Sequence, residues 1–286
     1  MAPRANGSPA PQVAAESAAL LDCLQASGRH TALIEFVREG VRKKKRARRR
    51  TIRAAAASCV VVLLLFWAVP YFRSTETLKT PAAHRQQFTL ADGSETELSA
   101  RTEIKTDFRY GRRHIHLLHG EAFFSVASDP AHPFLVETPR GQIRVTGTRF
   151  NVRLSSDGPA IVTLYEGSVS ATPSGAESSV SLIPGQTARI GGGVASVSTL
   201  SEAGMDAAVA WRRGRLVLDE LTVAAAAARI AEYHGCAISV SPTVGSLRLG
   251  GVAPLDDLGQ CLATLGGVGN LEVIELGQGQ FRVTGR

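Results

Sequence analysis

Between Arg42 and Phe72 the chain passes from its densest positive charge into its longest uncharged run, and that junction divides the molecule. Eight of the nine residues from Arg42 to Arg50 are basic: Arg42, Lys43, Lys44, Lys45, Arg46, Arg48, Arg49 and Arg50. The segment Ala54–Phe72 reads AAAASCVVVLLLFWAVPYF, 19 residues without a charge, closed by Arg53 and Arg73. As a helix it would span about 29 Å at 1.5 Å per residue, roughly the hydrocarbon thickness of a bilayer. Trp67 and Tyr71 lie near its far end, where amphipathic rings favour the interface, and Pro70 falls in the last turn, where a missing N–H matters least. A single transmembrane helix over residues 51–72 is predicted.

The flanks orient it. Lysine and arginine resist translocation, so residues 1–50 are expected in the cytoplasm and residues from about 73 onward on the far side of the membrane. A cleaved signal peptide is not expected, because its n-region would exceed 50 residues and no A-x-A site follows the apolar run. The same block disposes of a nucleic-acid reading. The formal charge is +7 and the pI 9.6, but the block alone supplies +8, which leaves −1 for all the other residues. No basic face remains to track phosphates, and nucleic acid is not expected as a partner. Beside a membrane span, such a block is a topology signal and a contact for anionic lipids.

Residues 1–50 form a short cytoplasmic segment. Its start, MAPRANGSPAPQ, has the small and polar composition of a disordered tail. Leu20, Leu21 and Leu24, then Leu33, Ile34, Val37 and Val41, repeat at helical spacing around Gly28. Two readings stay open here: short helices ordered by a partner, or a solvated stalk.

Beyond the membrane run the pattern is mostly β. Residues 73–85 read as a linker, and residues 86–197 as an all-β domain of at least nine short strands. Asp92-Gly93 between Gln87–Leu90 and Glu95–Leu98 marks a hairpin, and Pro184-Gly185 a type II turn. His114–Leu118 reads as a strand ending near Gly120, with Phe124, Phe134 and Phe150 on the inward faces of neighbouring strands. Gly147, Gly167 and Gly185 are placed at turns needing positive φ. Residues 198–210 read as a second linker. Residues 211–286 form a small α+β domain in the order βαββαββ, helices packed on one sheet. Its strands are Leu216–Leu218, Ala237–Val240, Leu247–Val252, Leu271–Leu276 and Gln280–Thr284. One helix is capped by Thr222 and ended by Gly235. The other carries Leu258, Cys261, Leu262 and Leu265 on one stripe and is closed by Gly266-Gly267.

Six blocks in this outer part resemble the FecR family of bacterial inner-membrane sensors. They are Gly120-Glu121-Ala122-Phe123-Phe124-Ser125-Val126; Pro133-Phe134-Leu135-Val136-Glu137-Thr138; Val145-Thr146-Gly147-Thr148-Arg149-Phe150-Asn151-Val152; Leu164-Tyr165-Glu166-Gly167-Ser168-Val169; Leu182-Ile183-Pro184-Gly185-Gln186; and Ala210-Trp211-Arg212-Arg213-Gly214-Arg215-Leu216. The last 75 or so residues resemble that family's C-terminal domain, itself similar to the short N-terminal signalling domain of secretins and TonB-dependent receptors. The resemblance implies a single-pass inner-membrane protein, N-terminus cytoplasmic and C-terminus periplasmic. It implies two protein partners. One is the signalling domain of an outer-membrane TonB-dependent transducer, often in ferric-siderophore uptake, and the other is a cytoplasmic extracytoplasmic-function sigma factor. One departure stands out: family members commonly carry tryptophan in the cytoplasmic part, and residues 1–50 contain none.

No catalytic constellation is expected, since the chain lacks G-x-S-x-G, H-E-x-x-H and phosphate-loop patterns. Glu121 and Glu166 each adjoin a turn glycine and are read as solvated rather than as a catalytic pair. His114, His116 and His119 share a strand without a nearby carboxylate or Cys in sequence, so no metal is expected. No cofactor is implied. Cys236 and Cys261 could bridge in an oxidising compartment, or Cys261 could be a free thiol on its helix's apolar stripe.

Overall fold

The computed structural model describes residues 75–109, 111–155, 158–219, 221–268 and 270–286, and, nearer the start, only 17–19, 22–23, 35–36, 38, 40 and 42. The chain divides into two compact units, Met1–Ala68 and Val69–Arg286. In the first, the described residues are helical and exposed. The run Ala54–Phe72 and the basic residues Lys43–Arg50 lie outside the described residues. Among the described residues no helix is long and apolar enough to cross a membrane.

The second unit begins with thirteen strands: β1 (Thr75–Lys79), β2 (Gln86–Thr89), β3 (Glu95–Leu98), β4 (Glu103–Asp107), β5 (Arg113–Ser125), β6 (Phe134–Thr138), β7 (Gly141–Val145), β8 (Arg149–Leu154), β9 (Ala160–Glu166), β10 (Val169–Pro173), β11 (Val180–Leu182), β12 (Gln186–Gly191) and β13 (Val194–Thr199). Thr75–Lys79 is therefore a strand and not tether: it pairs antiparallel with Glu103–Asp107, Leu78 opposite Ile104. Its burial pattern is mostly exposed, as an edge strand's is, which hid it from a hydrophobic-pattern reading.

β5 organises this β domain. Its first half pairs with β4 and, in parallel, with β6; its second half pairs with β3 and β8. One 13-residue strand thus serves two sheet faces where the sequence reading placed a strand that ends. The change of partners falls at Gly120, whose φ is +95°. A β-carbon there would meet Thr102 Oγ1 at 2.3 Å and Thr102 Cα at 2.6 Å, so neither the backbone angle nor the space admits a side chain. Inside, Phe124 stacks on Phe150 at 5.2 Å and tilts against Phe134 at 6.0 Å, all three fully buried.

The parallel pairing of β5 with β6 requires the chain to double back through residues 126–133. Arg113 fastens that crossover. Its Nε donates to the His132 carbonyl at 2.6 Å, while Nη1 and Nη2 donate to the Ala127 and Asp129 carbonyls at 2.9 and 3.1 Å. Asp92 lies 3.2 Å from Nη1 and supplies the counter-charge.

Helix α1 (Glu202–Ala208) and a 3-10 turn (Ala210–Arg213) fill the stretch read as a linker. Ser201 caps α1 by accepting from Gly204 N. The C-terminal domain then follows as β14 (Arg215–Val217), α2 (Val223–His234), β15 (Ala237–Val240), β16 (Val252–Pro254), α3 (Leu258–Val268), β17 (Leu271–Gly277) and β18 (Gln280–Gly285). Thr222 caps α2, and Gly235 ends it at φ +69°. The expected single sheet is two: β14 pairs with β16, and β15, β18 and β17 form a three-stranded sheet with β15 and β18 parallel. The strand placed at Leu247–Val252 is displaced to Val252–Pro254; Arg248 and Leu249 make only isolated bridges, and Gly251 at φ +96° breaks the run. Gly266-Gly267 does not close α3, which continues to Val268. A β-carbon on Gly266 would lie 3.5 Å from the Leu271 carbonyl, an ordinary van der Waals contact, so neither space nor backbone angle demands glycine there.

Candidate functional site at the seam between the β domain and the C-terminal domain

Adjacent residues of a strand point to opposite faces, so Phe123 and Phe124 cannot share a core. Phe124 belongs to the β domain's core, whereas Phe123 and Ala100 join Trp211, Leu216, Leu218, Ile230 and Tyr233 in the core of the C-terminal domain. The outer face of β5 is thus covered by protein. Tyr165 meets Phe123 edge-on at 5.6 Å and donates to the Met205 carbonyl at 2.7 Å, which ties β9 to α1.

Charged groups frame this apolar seam. Arg212 donates from Nε to Glu97 at 2.6 Å while its guanidinium lies 4.0 Å from the Phe123 ring centroid. Arg85 contacts Asp256 at 2.6 Å and the Tyr233 hydroxyl at 3.0 Å, and Ala83 N donates to the Tyr233 carbonyl. Two looser pairs bridge the middle, Arg229 with Glu121 at 3.6 Å and Arg153 with Glu232 at 3.8 Å. Burial pushes the Glu232 carboxyl up and holds the Arg229 guanidinium below its ordinary value. Both directions mark a place that solvates charge poorly.

The family-motif residues divide between core and seam. Ala122, Phe124, Val126, Phe134, Val136, Phe150, Val152 and Val169 are buried in the β core. Several others shape turns and close contacts. Thr138 Oγ1 donates to the Gly141 carbonyl at 2.9 Å. Thr148 Oγ1 donates to the Ser168 carbonyl at 3.2 Å. Gln186 Oε1 accepts from Ile183 N across the Pro184-Gly185 turn at 3.1 Å. Gly167 and Gly185 have φ of +86° and +87°. Gly147 does not have positive φ. It is a spacing glycine, where a β-carbon would meet Ser128 Cα at 2.8 Å. Pro133 directly precedes β6.

Glu121, Asn151, Trp211, Gly214 and Leu216 gather at the seam. Glu121 is buried and accepts from Asn151 Nδ2 at 2.7 Å, which corrects the expectation that it is solvated. Gly214 ends the 3-10 turn at φ +70° against the Asp256 carboxylate. Glu166 is exposed and pairs with Arg149 at 2.8 Å. Of the topology residues, Arg42 is helical and exposed.

The histidines gain carboxylate neighbours that sequence distance concealed: His116 with Glu137 at 3.1 Å and His119 with Glu103 at 3.5 Å. Among the described residues no three such side chains converge as a metal site. Cys236 and Cys261 are separate thiols. Cys261 faces the core from α3, and burial pushes it up to about 12. Cys236, half-buried, stands two positions beyond the end of α2.

The seam residues that sequence reasoning missed are Phe123, Tyr165, Arg212, Arg153 and Arg229. A signal existed for two of them. The doubled phenylalanine requires a second buried face, and Arg229, Glu232 and Tyr233 sit at i, i+3 and i+4 on an otherwise alanine-rich helix.

Residues 76–170 match the family model described as FecR protein. Two solved structures, each described as a "putative anti-sigma factor from Parabacteroides distasonis ATCC 8503", share the fold. Their TM-scores are 0.64 and 0.63, both at 20% identity, covering 74% of this chain and 99% and 100% of theirs. No curated protein matches the chain.

Proposed function

We propose that this chain is a single-pass regulator of the bacterial inner membrane, of the FecR type. The β and C-terminal domains lie in the periplasm and receive a signal from the N-terminal signalling domain of an outer-membrane TonB-dependent transducer. Ala54–Phe72 crosses the membrane, and residues 1–50 engage an extracytoplasmic-function sigma factor, controlling the uptake of ferric siderophores or another nutrient. The reading involves no catalytic step.

The observation that carries it is the FecR match over residues 76–170, on a fold shared along nearly the whole length of structures described as anti-sigma factors. The charge step at Arg50 supports the orientation. The test is co-purification of the full chain from detergent-solubilised membranes of its own host. Recovery of a sigma factor, lost on deleting residues 13–45, is expected. Recovery of membrane components alone would favour a tethered envelope-binding module without cytoplasmic output, a reading that the lack of Trp in residues 1–50 favours.

A further inference from the structure

The seam opens into a cleft of about 490 Å³, within the range of small-molecule sites. One wall comes from the β domain through Arg101, Glu121 and Arg153, the other from the C-terminal domain through Trp211, Arg229 and Glu232. Leu154, Leu216 and Leu255 supply an apolar floor.

Two features of this cleft are unspent by the fold. First, three guanidiniums face two carboxylates, which leaves one surplus positive charge. Among the described residues Arg101 has no ion-pair partner; its Nη1 sits beside Gly235, at the end of α2. Second, the two pairs present, at 3.6 and 3.8 Å, are longer than the 2.7–2.9 Å of charge-assisted hydrogen bonds, so both arginines keep donors to offer. Arg101 also holds φ +50°, a conformation rare outside glycine and concentrated at ligand-binding positions.

We propose that this cleft is a binding site for a small monocarboxylic acid with an apolar body. The surplus of one positive charge matches a monoanion better than a phosphate dianion. Planar guanidinium forks match a carboxylate. The leucine floor takes the hydrocarbon part. Because the ligand's contacts come from both walls, its binding strengthens the hold of the β domain on the C-terminal domain. The inference stands independently of the sigma-factor reading.

The test uses the full chain in detergent with Trp67→Phe, which leaves Trp211 as the sole tryptophan. Butyrate, hexanoate and phenylacetate are titrated against their amides, with Trp211 emission as the readout. At least one acid is expected to give a saturable change at millimolar concentration or below, with no response to its amide. Arg101→Gln should weaken that binding about tenfold or more, the worth of one charge-assisted contact. Arg101 is exposed, so the variant should keep the parent's melting temperature. No saturable change with any acid, equal responses to acid and amide, or undiminished binding in Arg101→Gln would each overturn the proposal.

Discussion

Arg212, on the turn that opens the C-terminal domain, lies 4.0 Å from the ring centroid of Phe123 on the sheet it packs against. The same guanidinium donates to Glu97 at 2.6 Å, so one side chain joins stacking and charge across the seam. Phe123→Ala should destabilise the fold by about 3–5 kcal/mol, the cost of removing a buried aromatic ring. A double-mutant cycle with Arg212→Ala should return a coupling of about 0.5–2 kcal/mol by denaturant unfolding. Additive effects would mean that the two do not interact.

Gly120→Ala meets two obstacles, the +95° φ and a β-carbon 2.6 Å from Thr102 Cα. A loss of about 2 kcal/mol or more is expected in thermal or denaturant unfolding. Thr102→Ser should not rescue it, because serine keeps both the Oγ and the backbone Cα that the new β-carbon would meet. A neutral Gly120→Ala would show that the backbone of β5 is not held at Gly120 as the structure places it.

How far the sequence disclosed this architecture can be judged at such positions. The inward faces of β5, β6 and β8 were legible, because Phe124 and Val126, Phe134 and Val136, and Phe150 and Val152 recur at period two. The helix from Thr222 to Gly235 was legible at both ends, since capping chemistry is local. What escaped was set by tertiary contact. Thr75–Lys79 is an edge strand with almost no apolar signature, and Gly120 bends a strand rather than ending it. Gly266-Gly267 lies inside a helix rather than ending it. The seam was the hardest part to see: Glu121 and Asn151 look solvated until the C-terminal domain covers that face.

Arg113→Met removes the donor that holds the Ala127, Asp129 and His132 carbonyls and leaves Asp92 without its counter-charge. Breaking so buried a cluster should cost about 3–5 kcal/mol. Hydrogen exchange should rise first in residues 126–133, where the crossover loses its anchor. Unchanged protection there would contradict the role given to Arg113.

Burial holds the His234 imidazole below its ordinary value of 6.5, against a hydrogen bond with the Leu255 backbone and the charges of Asp257 and Asp256, which pull it back up. The unfolded chain therefore takes the proton first. This contribution is fully present above about pH 6.5 and is lost as pH falls from there toward the folded value. Glu232, raised by burial, acts with the opposite sign at lower pH, so the variant rather than the slope is diagnostic. His234→Gln should flatten the fall in melting temperature between about pH 7 and 5.5. An unaltered slope would remove His234 as its source.

The arrangement of the chain across the membrane is the claim on which the relay rests, and cysteine accessibility measures it directly. In a background with the native cysteines replaced by serine, two reporters are compared: Cys23 restored, and Ser198→Cys on the exposed edge strand β13. A membrane-impermeant maleimide added to intact spheroplasts should label position 198 at once and Cys23 only after lysis. Labelling of Cys23 in intact cells, or protection of position 198 until lysis, would contradict the account.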